Sequence, residues 1–145
     1  MLLSPLFIYP QKLSLAVTNL SVHWFFNAFS DILPDLMTSD IKEGFFYRRK
    51  LRETPVVFVS ISYGANLLDF AAMLKKEGIP LLKKERDNGT YPLFICGGIA
   101  TLLNPESFAE IFDAVFLGEG ECMEEDIRNM LNMDTREQMI SYYSN

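Results

Sequence analysis

The stretch PVVFVSIS, Pro55 to Ser62, constrains the fold more than any other part of this sequence. It is a nearly unbroken run of apolar, largely β-branched residues. A strand with one face in water alternates apolar and polar side chains, so this run is read as a strand buried on both faces, as in the interior of a parallel sheet. Both faces then need a cover of helices.

The rest of the chain supplies them in alternation. PLFIY (Pro5 to Tyr9) is read as a first strand stopped by Pro10, and Leu13 to Leu33 as one helix ended before Pro34. GFFYR (Gly44 to Arg48) is read as the second strand and Pro55 to Ser62 as the third. ANLLDFAAMLKKEG then predicts a helix with lysines in its last turn and Gly78 in the place of a C-cap glycine. Pro92 to Cys96 is the fourth strand, Pro105 to Phe112 a helix with Asn104 as its N-cap, and Ala114 to Leu117 the fifth strand. Glu121 to Asn132 and Thr135 to Tyr143 are read as helices, the latter within a C-terminal extension of residues 133–145.

This pattern predicts an α/β, three-layer, Rossmann-like fold: a mainly parallel five-stranded sheet in the flavodoxin-like order 2-1-3-4-5. At 145 residues the expectation is a single domain, 1–145. One connection fits badly. Between the second and third strands only Arg49 to Thr54 remain, too few for a crossover helix. A short crossover there would leave one flank of the sheet thin and open to a partner.

Composition narrows the function. A net charge of −6 argues against nucleic-acid backbone binding. The basic clusters Arg48, Arg49, Lys50, Arg52 and Lys83, Lys84, Arg86 are read as solvated loop and edge residues. MLLSPLFIYP has neither a basic leader nor a long apolar core, so no secretory signal and no membrane span is expected. Cys96 and Cys122 lack C-x-x-C spacing and are read as thiols of a reducing, cytoplasmic compartment.

In parallel sheets of this kind ligands lie beyond the carboxyl ends of the strands. The residues there are Tyr9; Ser60, Ser62 and Tyr63; Gly97 and Gly98; and Gly118, Glu119, Gly120 and Glu121. Glycines admit close approach of a ligand to backbone, although they also serve simply to turn a chain. The two carboxylates would repel phosphate and suit a hydroxyl, an amide or a partner's basic residue. No G-x-G-x-x-G follows the first strand and no P-loop occurs anywhere, so dinucleotide and ATP binding lose support. His23 lies in an aromatic-rich stretch and is read as packed or hydrogen-bonded, not as a base for Ser60 or Ser62. No catalytic constellation emerges.

The run GIPLLKKERDNGTYPLFICGGIATLLNPESFAEIFDAVFLGEGE, Gly78 to Glu121, resembles the N-terminal, cobalamin-binding-like domain of radical S-adenosylmethionine (SAM) proteins. YPQKLSLAVTNL and VFVSISYGANLLDFAAML are similar to further segments of that family, so the resemblance covers about Leu6 to Asn132. It implies a cobalamin-domain-like fold, normally joined to a barrel that carries a C-x-x-x-C-x-x-C cluster motif. With two cysteines this chain cannot hold a four-iron cluster through three thiolates. The resemblance therefore implies a separated or truncated N-terminal module, or an accessory to a radical SAM barrel domain or subunit.

It also bears on cobalamin. The family-type D-x-H-x-x-G has no counterpart in YPQKLSLAVTN, the S-x-L element is met only by the SIS of Ser60 to Ser62, and Gly97 with Gly98 match the glycine pair. A corrinoid would then be held without a histidine ligand. Two other readings stand beside this one. The chain is an interaction domain that kept the fold and lost the ligand, meeting a partner through its thin flank and the Glu119/Glu121 loop. Or it is a flavodoxin-like flavin carrier, a reading weakened by the lack of a Ser/Thr-rich phosphate loop after the first strand.

Overall fold

The computed structural model describes residues 4–87, 90–98, 105–117 and 120–144. Its centre is a five-stranded sheet of β1 (Leu6–Tyr9), β2 (Asp35–Thr38), β3 (Val56–Ser60), β4 (Leu93–Gly97) and β5 (Ala114–Val115). The order is β2-β1-β3-β4-β5 and every pairing is parallel, as the alternation of strands and helices predicts. All residues of β1, β2 and β3 are buried, which is the physical reason for the unbroken apolar run in β3.

Side chains alternate between two cores. On one face Phe7, Tyr9, Phe58 and Ile95 meet Val22 and Phe25 of helix α2 (Leu20–Ala28), Ile127 and Met130 of α5 (Glu124–Leu131) and Met139 of α6 (Arg136–Ser144). On the other, Leu6, Ile8, Val59 and Phe94 meet Phe70 and Leu74 of α3 (Asn66–Lys76) and Phe108 of α4 (Pro105–Ile111). The result is the three-layer α/β arrangement expected. No helix among the described residues is long and apolar enough to cross a membrane.

The second strand is not where the sequence places it. GFFYR forms turns, and DLMT at Asp35–Thr38 is the strand. Four residues opening on an aspartate give a weak apolar signal, whereas the aromatic run at 45–47 carries a strong one and yet lies at the surface. With β2 moved, the second crossover comprises residues 39–55, long enough for a parallel connection. It still contains no α-helix, only a 3-10 turn at Leu51–Glu53. Leu51, fully buried, and Ile41 cover this flank. The expected crossover of Arg49 to Thr54 alone is thus corrected, while the expected lack of a crossover helix is what the structure shows.

The first helix is also divided. The short helix α1 (Leu13–Ala16) ends before Asn19, whose side chain accepts a hydrogen bond from Val22 N and caps α2. A 3-10 turn at Ser30–Ile32 follows α2. Gly78 sits at φ +66° just past α3, and Ile79 N reaches back to Leu74 O, the C-cap arrangement expected there. β3 stops at Ser60 and β5 at Val115, and a 3-10 turn at Gly120–Met123 precedes α5. The proposed N-cap Asn104 lies outside the described residues.

Arg86 departs from its reading as a solvated residue. It is fully buried, donating to the carbonyls of Pro80, Leu81 and Ile111, 3.6 Å from Asp113 Oδ2 and over the Phe94 ring. It fastens the segment after α3 to the end of α4. A buried cation held by three carbonyls and a carboxylate fastens structure and offers nothing to solvent.

Candidate functional site

Because all strands run the same way, their carboxyl ends share one edge. Ile8 pairs with Val59 and Ser60 with Gly97, which brings Tyr9, Ser60 and Gly97 side by side at that edge. Tyr9 and Ser60 are both buried, 5% and 4% exposed. Strand alternation points Tyr9, Ser60 and Gly97 to the α2/α5 face, above Phe7, Phe58 and Ile95.

The Ser60 hydroxyl has no hydrogen-bond partner among the described residues. Leaving a buried hydroxyl unpaired costs about 1–3 kcal/mol and is uncommon in folded proteins. On the neighbouring strand, a side chain at Gly97 would meet nothing within 4 Å among the described residues. An orphan donor and acceptor is thus paired in register with a glycine that leaves its own side-chain place empty.

The two adjacent glycines do different things. Gly98 has φ +110°, and a Cβ there would lie 2.5 Å from the Ile61 carbonyl oxygen, so the chain needs glycine to pass. Gly97 has no such requirement. Its lack of a side chain leaves room on the sheet edge.

A polar network flanks the site. Gln11 Nε2 donates to Tyr9 Oη (3.1 Å) and to Asn66 Oδ1 (3.2 Å), and Asn66 Oδ1 also accepts from Tyr63 N (3.1 Å). Tyr9 Oη is an acceptor here, which leaves its proton to be donated. The side chain of Tyr63 is 69% exposed and Ser62 is half-buried. Gly120 and Glu121 open the 3-10 turn at Gly120–Met123. Gly118 and Glu119 lie outside the described residues.

Sequence reading missed Gln11 and Asn66. Asn66, the first residue of α3, carried a faint signal, because asparagine commonly bonds nearby backbone where a helix begins. Gln11 carried none. Its role depends on a contact with a residue far along the chain.

The described residues of this edge include no pair of groups set for acid–base chemistry. Burial pushes the Cys96 thiol well above its ordinary value, so it is an inert packing group. His23 is exposed, with Nε2 2.5 Å from the Val17 carbonyl oxygen. It is hydrogen-bonded, as one half of its reading had it, but not packed inside. Among the described residues no three His, Cys, Asp or Glu side chains are grouped to hold a metal. Cys96 is buried and Cys122 exposed, and two thiols fall short of the three a radical SAM cluster needs.

Residues 26–142 match the family described as radical SAM proteins, N-terminal. Comparison with curated proteins and with solved structures gives no match. The matched span contains Ser60, Tyr63, Asn66, Gly97 and Gly98, and begins after Tyr9 and Gln11. Since it takes in most of the sequence, this chain belongs to the family of radical SAM protein N-terminal regions.

Proposed function

We propose that residues 1–145 form one ligand-receiving module that serves a radical SAM catalytic barrel, on the same protein or a separate subunit, in the cytoplasm. The observation that carries this reading is the unpaired, buried Ser60 hydroxyl in register with Gly97, where no described residue fills the place of a side chain. Tyr9, held by Gln11, adds a second polar contact on the same face. We assign Ser62, Tyr63, Gly98, Gly118, Glu119, Gly120 and Glu121 to the same rim from their places in the sequence after the strands. A flat, amide-bearing ring of the corrinoid class suits such a rim, lying on the glycine edge and offering polar groups to Ser60 and Tyr9. It would be held without a histidine ligand. The radical step belongs to the barrel, because the thiolates for its cluster are not on this chain.

Titration with cobinamide, a corrinoid without the lower nucleotide, tests this. Saturable quenching of protein fluorescence is expected, and Gly97→Leu, which fills the open space, should abolish it. A second reading, an interaction domain that has lost its ligand, draws on the helix-free crossover at residues 39–55. It gains if cobinamide is ignored while a radical SAM barrel still co-purifies with the chain.

A further inference from the structure

At the other end of β2 the chain holds a surface that the ligand rim does not involve. Asp35, fully buried, accepts hydrogen bonds from the backbone N–H groups of Leu36, Phe46, Tyr47 and Arg49 at 2.7 to 3.1 Å. Gly44 packs so closely on this carboxylate that any side chain there would run into it. Gly44 N also bonds Arg49 O, closing the loop. The loop is therefore built rigidly around one carboxylate.

What this framework displays is apolar. Phe45, Phe46 and Tyr47 are 53%, 55% and 49% exposed, and Leu33 beside them is 53% exposed. Arg49 joins the two parts, donating to Leu33 O at 2.6 Å while lying over the Tyr47 ring at 4.9 Å. Phe46 rests on Phe26 of α2. Among the described residues Leu33 and Arg48 are the non-glycine residues with left-handed backbone, φ 52° and 56°, and both belong to this patch. Strained backbone that persists is concentrated at functional surfaces.

Charge indicates the occupant. Lys42, Arg48, Arg49 and Lys50 stand around the loop against Glu43 and the buried Asp35, in a chain whose net charge is −6, while Arg52 turns away to the Glu77 and Gly78 carbonyls. Arg48 and Lys50 are exposed at the border of the aromatic patch. A short acidic segment feels this local field, since screening confines it to about 8 Å. An extended polyanion or an anionic membrane also meets the acidic remainder of the molecule and is disfavoured. Strand addition is disfavoured too, because Phe45 N already occupies Leu36 O on the free edge of β2.

We infer that the Gly44–Arg49 loop with Leu33 is a preformed docking surface for a protein segment in which acidic residues flank an apolar centre. Rigid aromatic anchors bordered by arginine are the usual form of a binding hot spot. The surface is independent of the corrinoid reading and stands if that reading fails.

Selection of displayed random short peptides on the full chain, with counter-selection on Phe45→Ser/Phe46→Ser, tests it. The expected winners carry Asp or Glu around aliphatic or aromatic residues. Their affinity should fall about tenfold or more in Phe46→Ser and in Arg48→Glu, and should weaken with salt. An unchanged circular dichroism spectrum should accompany the loss, and Arg48→Glu, at an exposed position without a packed ring, should keep the native unfolding midpoint as well. Failure to enrich over the counter-selecting variant, or winners that are neutral or basic, would overturn the inference. So would selected peptides that bind Phe46→Ser as well as the native chain, or patch-dependent binding of phosphatidylserine vesicles or polyuridine in place of acidic peptides.

Discussion

Gly97 and Gly98 are neighbours whose substitution should have opposite consequences. Alanine at Gly98 must adopt φ +110° and place its Cβ 2.5 Å from a backbone oxygen. We expect Gly98→Ala to cost about 2–4 kcal/mol in urea unfolding, from strain and the displacement of Ile61. Gly97→Ala meets open space and should change stability by no more than about 0.5 kcal/mol. Equal costs at the two positions would contradict the division of roles. Asp35 makes a second residue-scale test. Asp35→Asn turns part of an acceptor-only group into a donor facing backbone N–H groups. It should cost about 2–3 kcal/mol and speed amide exchange at Phe46, Tyr47 and Arg49.

The elements show which parts of the fold could be read from sequence. β3, β4 and α3 were legible because each has a strong period or an unbroken apolar run, and Gly78 marked the end of α3. β2 was not, because its short run is buried by a loop bonded to Asp35, a contact invisible to local pattern. The aromatic run at 45–47 misled for the complementary reason, being apolar for display and not for burial. At the candidate site, Tyr9, Ser60 and Gly97 followed from strand ends, whereas Gln11 and Asn66 required tertiary contact. The break between α1 and α2 yields a prediction at this scale. Asn19→Ala should cost about 1 kcal/mol by removing the cap on Val22 N, and a substitution with no effect on the unfolding midpoint would show that the cap is idle.

At the scale of the molecule, α5 is fastened to the segment after α2 by Arg128. Its guanidinium donates to both Asp31 carboxylate oxygens at 3.0 Å, to Glu124 at 3.3 Å and to the Ala28 carbonyl. The hydrogen bond from Arg128 holds the Asp31 carboxyl below its ordinary value. A depressed folded-state value means that the stabilisation is present above about pH 4 and is lost as pH falls through the folded value. Asp31→Asn should therefore lower the unfolding midpoint modestly at neutral pH, and the gap to the native chain should close on acidification. Asp31 is exposed and Arg128 partly so, and added salt should therefore narrow the gap as well. A gap that is constant with pH would rule out this linkage.

The central claim is that the carboxyl edge of the sheet receives a corrinoid-like ring at Ser60 and Gly97. The most direct test is equilibrium dialysis of cobinamide against the native chain, Ser60→Val and Gly97→Leu. The account predicts saturable one-to-one binding by the native chain, weaker by about tenfold in Ser60→Val through one lost hydrogen bond of about 1.4 kcal/mol, and absent in Gly97→Leu. No binding by the native chain, or binding that both substitutions leave intact, would contradict it.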